Sequence, residues 1–530
     1  MITISLTTLA SVTDGELIVP ENLASLSLND LAINDLAIDD LVTDSRAIDK
    51  DSDKKIAFLA LKGPSFDGHR FAEQVIKQGC QLLIVDHYLN EVKNTVQLVV
   101  NDTRIALGKI AAFVKKEVAP KTVGITGSSG KTTVKEMVAA ILSRLGNVLA
   151  TNGNFNNDIG VPLTLLRLDN SHDFAVIEMG ANHMGEIAYT TALTQPDVAV
   201  INNIAAAHLE GFGDLCGVAR AKGEIFSGLG ENGIALYNQD TKYTSKWQWR
   251  LTDKTVRTFS CFNTGAGKAN SYSDNVNLDK NGCATFTLHT EQGCCDVTLT
   301  VPGKHNVCNA VAAAAIALEF GASLEDIQLG LAQMQPVKGR LNLHQFENKK
   351  TGRNIKLIDD SYNANLESAK AAAQLLSNYP GKQLLILGDM GELGSEARSY
   401  HQEVGEFAKR LKLNTLLSLG VLSQAASDAF AKENHNDEQS QHFNQRSELM
   451  AHLFTLLDQQ LSVGQQDIAI LVKGSRSAHM EHVVTEIIEW FAQMKVQQDV
   501  NQSVSQKSVT SKNQASKNQS SDNQSKEGMA

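Results

Sequence analysis

The 530-residue chain is 42% hydrophobic and 20% charged, an ordinary globular balance with room for about three domains. Its formal charge of −11 offers no basic stripe from which a nucleic acid could release counterions, which excludes nucleic acid as a partner. Seven scattered cysteines without a C-x-x-C pair read as reduced thiols, neither a disulfide framework nor a zinc site. The opening MITISLTTLASVTDGEL lacks the basic and apolar regions of a signal peptide, and no run reaches ~18 uninterrupted apolar residues. A cytoplasmic protein with no membrane span is expected.

Residues 1–115 form the first expected domain. Asn29 to Thr43 reads NDLAI-NDLAI-DDLVT, a five-residue repeat that matches neither the helical nor the strand period and so belongs near a surface loop. Ile56 to Gly63 predicts a strand ending in a glycine turn, Ser65 to Phe71 the opening of a helix, and Gln81 to Val85 a buried strand. Ser45, Arg46, Lys62 and His69 fall at loop tips. There they either bind an anionic ligand or are simply solvated.

Residues 116–335 hold GITGSSGKTTVKEM, Gly124 to Met137. Thr122 to Thr126 is a β-rich apolar run, and Val134, Met137, Val138, Ile141 and Leu142 share one helical face. Between them lie Gly127, Ser128, Ser129, Gly130, Lys131, Thr132 and Thr133, the strand–loop–helix setting of a phosphate-binding loop. Glycines admit backbone amides to phosphate oxygens, and the helix N-terminus adds positive charge. Lys131 would reach the β- and γ-phosphates and the Thr132 hydroxyl a Mg²⁺ ion. The strict pattern wants glycine where Ile125 stands, so the match is imperfect.

Phe174 to Gly180 and Asp197 to Asn202 read as strands of a covered parallel sheet, with Glu178 and Asn202-Asn203 at ends where ligands sit. Glu178 either completes the Mg²⁺ shell begun by Thr132 or caps the next helix. His208, just past the next strand, is open between a structural and a functional reading. Lys222 shares a helical face with Val218, Ile225, Phe226 and Leu229. It either snorkels to the surface or is buried with a depressed pKa, when its neutral amine can take up CO₂ as a metal-binding carbamate. Residues 255–302 suggest an antiparallel excursion, and an alanine-rich helix follows from Pro302 through Leu318.

Residues 336–497 form a third α/β domain with strands at Ile355–Ile358, Gln383–Leu387, Thr415–Leu419 and Ile468–Val472. Arg340 stands at the junction, where an arginine can clamp a γ-phosphate. Asp359 to Asn365 is a polar loop suited to substrate, and the cations of Lys473-Gly474-Ser475-Arg476-Ser477 could hold a carboxylate. Gly388 to Gly394 follows a strand but lacks the dinucleotide fingerprint. From Val500 the Ser-, Asn-, Gln- and Lys-rich chain should be disordered, so residues 498–530 are read as a tail.

TGSSGKTT at 126–133, IEMG around Glu178, NIAAAHLEGFG around His208, AKGEIF at Lys222, GKHNVCNAVAA around Asn306 and GRL at Arg340 together resemble the Mur ligase family. The likeness spans about residues 1 to 497, excluding the repeat. FLALKGPSFDGHRF, GNFNNDIGVPLTLL, DDSYNANLESAKAA, LGDMGELG and VKGSRSAHME point, within the family, to members that add a D-alanyl-D-alanine dipeptide. The Asp-Asn-Pro motif of the third-residue-adding members is absent, and folylpolyglutamate synthases lack a first domain of this kind. The resemblance implies a small N-terminal α/β domain for the UDP substrate, a central P-loop domain with a mostly parallel sheet, and a C-terminal Rossmann-like domain. It implies a monomeric ATP-dependent ligase joining D-alanyl-D-alanine to a UDP-N-acetylmuramoyl tripeptide through an acyl phosphate. Mg²⁺ would rest on Thr132 and Glu178, and a second ion on His208 and carbamylated Lys222. Lys131 and Arg340 would serve the phosphates and Asn306 the adenine side. Ser45, Arg46, Lys62, Asn156, Asn157, Asp360, Tyr362, Asn363, Asn365, Lys473, Ser475 and Arg476 are the implied substrate residues. The rivals are a relative in the same superfamily and a P-loop switch or motor that joins nothing.

Overall fold

The computed structural model describes residues 1–20, 37–49, 53–261, 269–348, 352–432, 439–463 and 466–494. The first part of the Asn29–Thr43 repeat and the tail from residue 498 lie outside the described residues. The chain divides into two compact units, residues 1–279 with 283–335, and residues 280–282 with 336 onward.

The first unit contains two larger sheets. In the smaller, β1 (Glu16–Ile18), β2 (Asp40–Val42), β3 (Ile56–Leu59), β4 (Leu82–Val85) and β5 (Val96–Val99) lie in the order β1-β5-β4-β3-β2. Every pair is parallel except β1 with β5. Each residue of β3 and β4 is buried, as in a parallel sheet covered on both faces. The strand expected to run to Gly63 stops at Leu59, and Lys62–Gly63 pairs instead with Phe66–Asp67 in a short hairpin. The helix expected from Ser65 accordingly begins only at Ala72, after a 3₁₀ turn that Asp67 caps by accepting from the His69 amide.

The larger sheet comprises β6 (Lys121–Thr126), β7 (Val148–Ala150), β8 (Phe174–Glu178), β9 (Val198–Ile201), β10 (Ile234–Asn238), β11 (Thr255–Ser260), β12 (Ser271–Leu278), β13 (Cys283–Thr290) and β14 (Gly293–Pro302). Its order is β7-β8-β6-β9-β10-β11-β12-β13-β14. Pairing is parallel as far as β12 and antiparallel beyond it, so β11 belongs to the parallel part and only the later strands form the expected excursion. β6 lies between β8 and β9, with Ile125 opposite Glu178 and Thr126 opposite Ile201. That register brings the carboxyl ends of three strands together, the place where such sheets take ligands.

α1 (Lys131–Leu142) follows β6 and buries Val134, Met137, Val138, Ile141 and Leu142 completely, the face read from the sequence. α2 (Leu215–Gly223) passes into a 3₁₀ turn over Glu224–Gly228 that keeps Ile225 and Phe226 inside with Val218 and Lys222. α3 (His305–Glu319) is buried along most of its length, which its small alanines permit. Cys308 in its first turns forms a disulfide with Cys261 beyond β11, at a Cα separation of 4.5 Å. The expectation of seven reduced thiols is therefore corrected. The partners are 47 residues apart, and only the packing of α3 against β11 makes them neighbours.

In the second unit β15 (Asn342–Asn348), β16 (Arg353–Asp360), β17 (Lys382–Gly388), β18 (Thr415–Leu419), β19 (Gln439–Phe443) and β20 (Ile468–Lys473) form a sheet ordered β15-β16-β20-β17-β18-β19. All pairs but the first are parallel. The four expected strands are present; the edge strands β15 and β19, mostly polar, gave no apolar run to find. Among the described residues no helix is long and apolar enough to cross a membrane.

Candidate active site

Gly127 to Gly130 link β6 to α1. Gly130 has φ +75°, and a Cβ there would lie 2.4 Å from Asn309 Oδ1 and 2.7 Å from Asn202 Nδ2. Only glycine fits both the conformation and the space. The loop is fixed from the ends of neighbouring elements. The Ser128 amide donates to Asn203 O (3.1 Å), the Ser129 amide to Asn203 Oδ1 (2.9 Å), and Ser128 Oγ to Ala205 O (3.0 Å). Asn202 Nδ2 donates to Ser129 O (3.0 Å) and to Asn309 Oδ1 (3.1 Å). Asn309 Nδ2 then donates to Asn306 Oδ1 (2.8 Å), whose own amide nitrogen reaches Pro302 O (2.7 Å). Asn306 is thus turned inward, into a relay that holds the loop against α3. Asn309, three residues on, is the contact the sequence reading missed.

Lys131 Nζ donates to Gly127 O (2.8 Å), which folds the ammonium back over the loop. The Thr132 hydroxyl donates to Glu178 Oε2 (2.8 Å), and Asn156 Nδ2 to Glu178 Oε1 (2.8 Å). Glu178 is 2% exposed and caps no helix here. A hydroxyl and a carboxylate in contact at a phosphate loop are oxygen donors of the kind Mg²⁺ takes. The residues present fit that ion. Asn157, by contrast, accepts from the Gly160 amide (2.8 Å) and shapes the turn into the next helix.

Lys222 is 1% exposed, which decides between its two readings: it does not snorkel. Burial, and then the nearby charge of Lys131, hold its pKa well below the ordinary lysine value. Its Nζ lies 6.0 Å from the centre of the Phe212 ring, which also meets the His208 ring edge to face at 6.4 Å. His208 and Lys222 are thereby gathered about one aromatic side chain. His208 sits at φ 55°, in the left-handed region, as it turns the chain from β9 into the 209–212 helix.

Around the smaller sheet, Ser45 is buried in a 3₁₀ turn, Lys62 is exposed, and Arg46 makes paired contacts to Asp44 (2.7–3.2 Å). His69 is buried and structural: its Nδ1 meets Asp67 Oδ1 at 2.7 Å, and its Nε2 accepts from the Asp86 amide at 3.2 Å. The anion-binding alternative for His69 is set aside.

In the second unit the ends of β16 and β20 carry the polar groups. Lys473, 2% exposed, donates to Asp360 Oδ2 (2.5 Å) and Asn363 O (2.9 Å). Burial outweighs that cation and raises the Asp360 pKa. Asn365 is a helix cap, accepting from the Ser368 amide (2.9 Å). The Ser475 amide donates to Asp389 O (2.9 Å), and Arg476 pairs with Glu481 (2.9 Å). Arg340 lies 4.6 Å from the Tyr362 ring centre. Asp389, in the loop after β17, accepts from the amides of Val421, Leu422 and Ser423 (2.8–3.1 Å), a tie between loops.

Residues 125–317 match the family profile described as Mur ligase middle domain, and residues 339–476 that described as Mur ligase, glutamate ligase domain. The UDP-N-acetylmuramoyl-tripeptide–D-alanyl-D-alanine ligase of Escherichia coli (strain K12) is 48% identical over 432 residues, 82% of this chain and 90% of that protein. The chain belongs to the Mur ligase family. A crystal structure of MurF from Acinetobacter baumannii covers 92% of this Mur ligase and 99% of its own chain at TM-score 0.81 and 38% identity. The MurF ligase of Thermotoga maritima in complex with ADP matches at TM-score 0.72 and 25% identity, over 86% and 98% of the two chains. The family likeness read from the sequence and the mixed α/β, mostly parallel architecture are both borne out.

Proposed function

We propose that this Mur ligase joins D-alanyl-D-alanine to a UDP-N-acetylmuramoyl tripeptide at the expense of ATP, yielding the pentapeptide, ADP and phosphate. The names of its relatives supply the substrates. The observation that carries the ligase chemistry is a buried lysine beside a phosphate loop whose threonine already touches a buried carboxylate.

In the first step a terminal carboxylate oxygen of the tripeptide bonds to the γ-phosphorus while the bond to the ADP oxygen breaks, giving an acyl phosphate. In the second the dipeptide amine attacks the acyl carbon, the carbon–oxygen bond to phosphate breaks, and the amine loses its proton. Each step brings anions together, so the protein's task is alignment and charge compensation. Lys131 and Thr132 would position the β- and γ-phosphates, and Arg340 would stabilise the transferring phosphoryl group. Thr132 and Glu178 would hold Mg²⁺, which supplies charge neutralisation at the phosphate oxygens. The lowered pKa of Lys222 suits carbamate formation, and with His208 it would hold a second ion. Asn306, through Asn309, keeps the loop shaped for ATP. Ser45, Arg46 and Lys62 of a first domain spanning 1–115 serve the UDP substrate, residues 116–335 the ATP, and residues 336–497 the dipeptide. The protein acts as a cytoplasmic monomer on small molecules.

Phosphate release with each substrate present and omitted is the test. A ligase releases phosphate only with ATP, UDP-tripeptide and D-alanyl-D-alanine together. Undiminished release without the dipeptide would instead favour a switch or motor.

A further inference from the structure

Tyr362 stands between two arginines of the second unit. The Arg340 guanidinium carbon lies 4.6 Å from the ring centre and that of Arg476 lies 5.8 Å away, both within cation–π range. The ring is itself anchored. Its backbone amide donates to Gly339 O (3.0 Å), and a Cβ on Gly339, at φ +74°, would come within 3.1 Å of the Tyr362 Cβ. The residue before Arg340 is thus pressed against Tyr362, and one aromatic side chain sets where both cations stand.

The two arginines differ in setting. Arg340 is partly buried, and its charge acts on the carboxyl of Asp360. The Arg476 side chain is 60% exposed and uses one nitrogen on Glu481, which leaves a planar fork with further donors. Lys473, the other cation read as a carboxylate holder, is spent on Asp360 and Asn363. Arg476 is therefore the cation of this strand end with donors to offer a ligand carboxylate.

We propose that Tyr362 is a positioning residue that ties carboxylate recognition at Arg476 to the placement of Arg340, making the enzyme selective for acceptor dipeptides with a free C-terminal carboxylate. This rests on the ligase reading above. Drawing the Arg476 guanidinium onto the dipeptide carboxylate settles the shared ring, and the ring settles Arg340. An acceptor without that carboxylate leaves the Arg476 fork unfilled and the ring unsettled.

The test compares kcat/KM for D-alanyl-D-alanine with that for D-alanyl-D-alaninamide, in wild type, Tyr362→Phe, Tyr362→Leu and the exposed-site variant Arg476→Met. Wild type should prefer the free acid by about a hundredfold, as expected when a charge-assisted bidentate contact is lost. Tyr362→Phe, which keeps the ring face, should retain that preference. Tyr362→Leu and Arg476→Met should cut it to within about tenfold by losing rate on the acid alone. The KM for ATP should stay within about twofold in Tyr362→Phe, which keeps the ring that settles Arg340. Wild-type discrimination in Tyr362→Leu, or a Phe variant as impaired as Leu, overturns the inference; so does an ATP KM in Tyr362→Phe that rises in step with that of the dipeptide. If Tyr362→Leu does not fold, undiminished discrimination in Arg476→Met overturns it equally. A wild type that releases no phosphate with the dipeptide overturns the ligase reading, and this inference with it.

Discussion

Lys222 illustrates what one side chain can disclose. An ammonium taken from water without compensation is costly, so a lysine at 1% exposure is held as the neutral amine or as something other than an amine. A carbamate answers both demands, since it turns the amine into an anion that a cation can meet. Lys222→Ala is expected to lower kcat by at least about a hundredfold, comparable to the loss of a ligand-supporting group. Millimolar formate or acetate should restore part of it. Full activity in the unrescued variant removes the carbamate from the mechanism. Burial was the missing fact: from the sequence alone, Lys222 on an apolar face left the snorkelling alternative open.

The loop after β17 shows how an element is stabilised by a buried side chain from the next helix. His401, on the 397–410 helix, is fully buried; its Nε2 accepts from the Met390 amide (2.8 Å) and its Nδ1 faces Ala397 O (2.6 Å). Only the neutral ring can accept at Nε2, and burial lowers the His401 pKa below the ordinary histidine value of about 6.5. The native state therefore binds this proton later than the unfolded chain. The contribution is complete above about pH 6.5 and is lost as pH falls from there towards the depressed native value, at up to about 1.4 kcal/mol per unit. His452 is shifted the same way by burial and adds to the trend. His401→Gln should have a lower melting temperature than wild type at pH 7.5 and a smaller gap at pH 5. A gap independent of pH would show that His401 does not titrate across folding. The sequence placed this loop after a strand and without the dinucleotide fingerprint, but nothing in it named His401 as the partner.

At the scale of the whole chain, two units with separate cores should respond separately to ligand. The phosphate loop and Glu178 lie in the first unit, whereas Arg340 and Tyr362 lie in the second. ADP with Mg²⁺ lacks the transferring phosphoryl group, so it should stabilise the first unit alone. At a hundred times its Kd the gain is about 2.7 kcal/mol. Amide hydrogen exchange read by mass spectrometry should slow in β6, α1 and β8 and remain unchanged in β16, β17 and β20. Equal protection of both sets would refute that assignment.

Local pattern was enough for the strand–loop–helix at Lys131, the buried face of α1, the four inner strands of the second unit and the family itself. The elements are encoded in residues close together in the chain, as apolar periodicity or as glycine spacing that a tight turn demands, and the family in the likeness of a set of short motifs in a fixed order. Tertiary structure alone decided the pairing of Cys261 with Cys308, the inward turn of Asn306 towards Asn309, the capture of Lys473 by Asp360 and the burial of Lys222. Those depend on which distant side chain arrives opposite and on how much water remains. Both are consequences of strand order and packing, which a linear pattern does not contain.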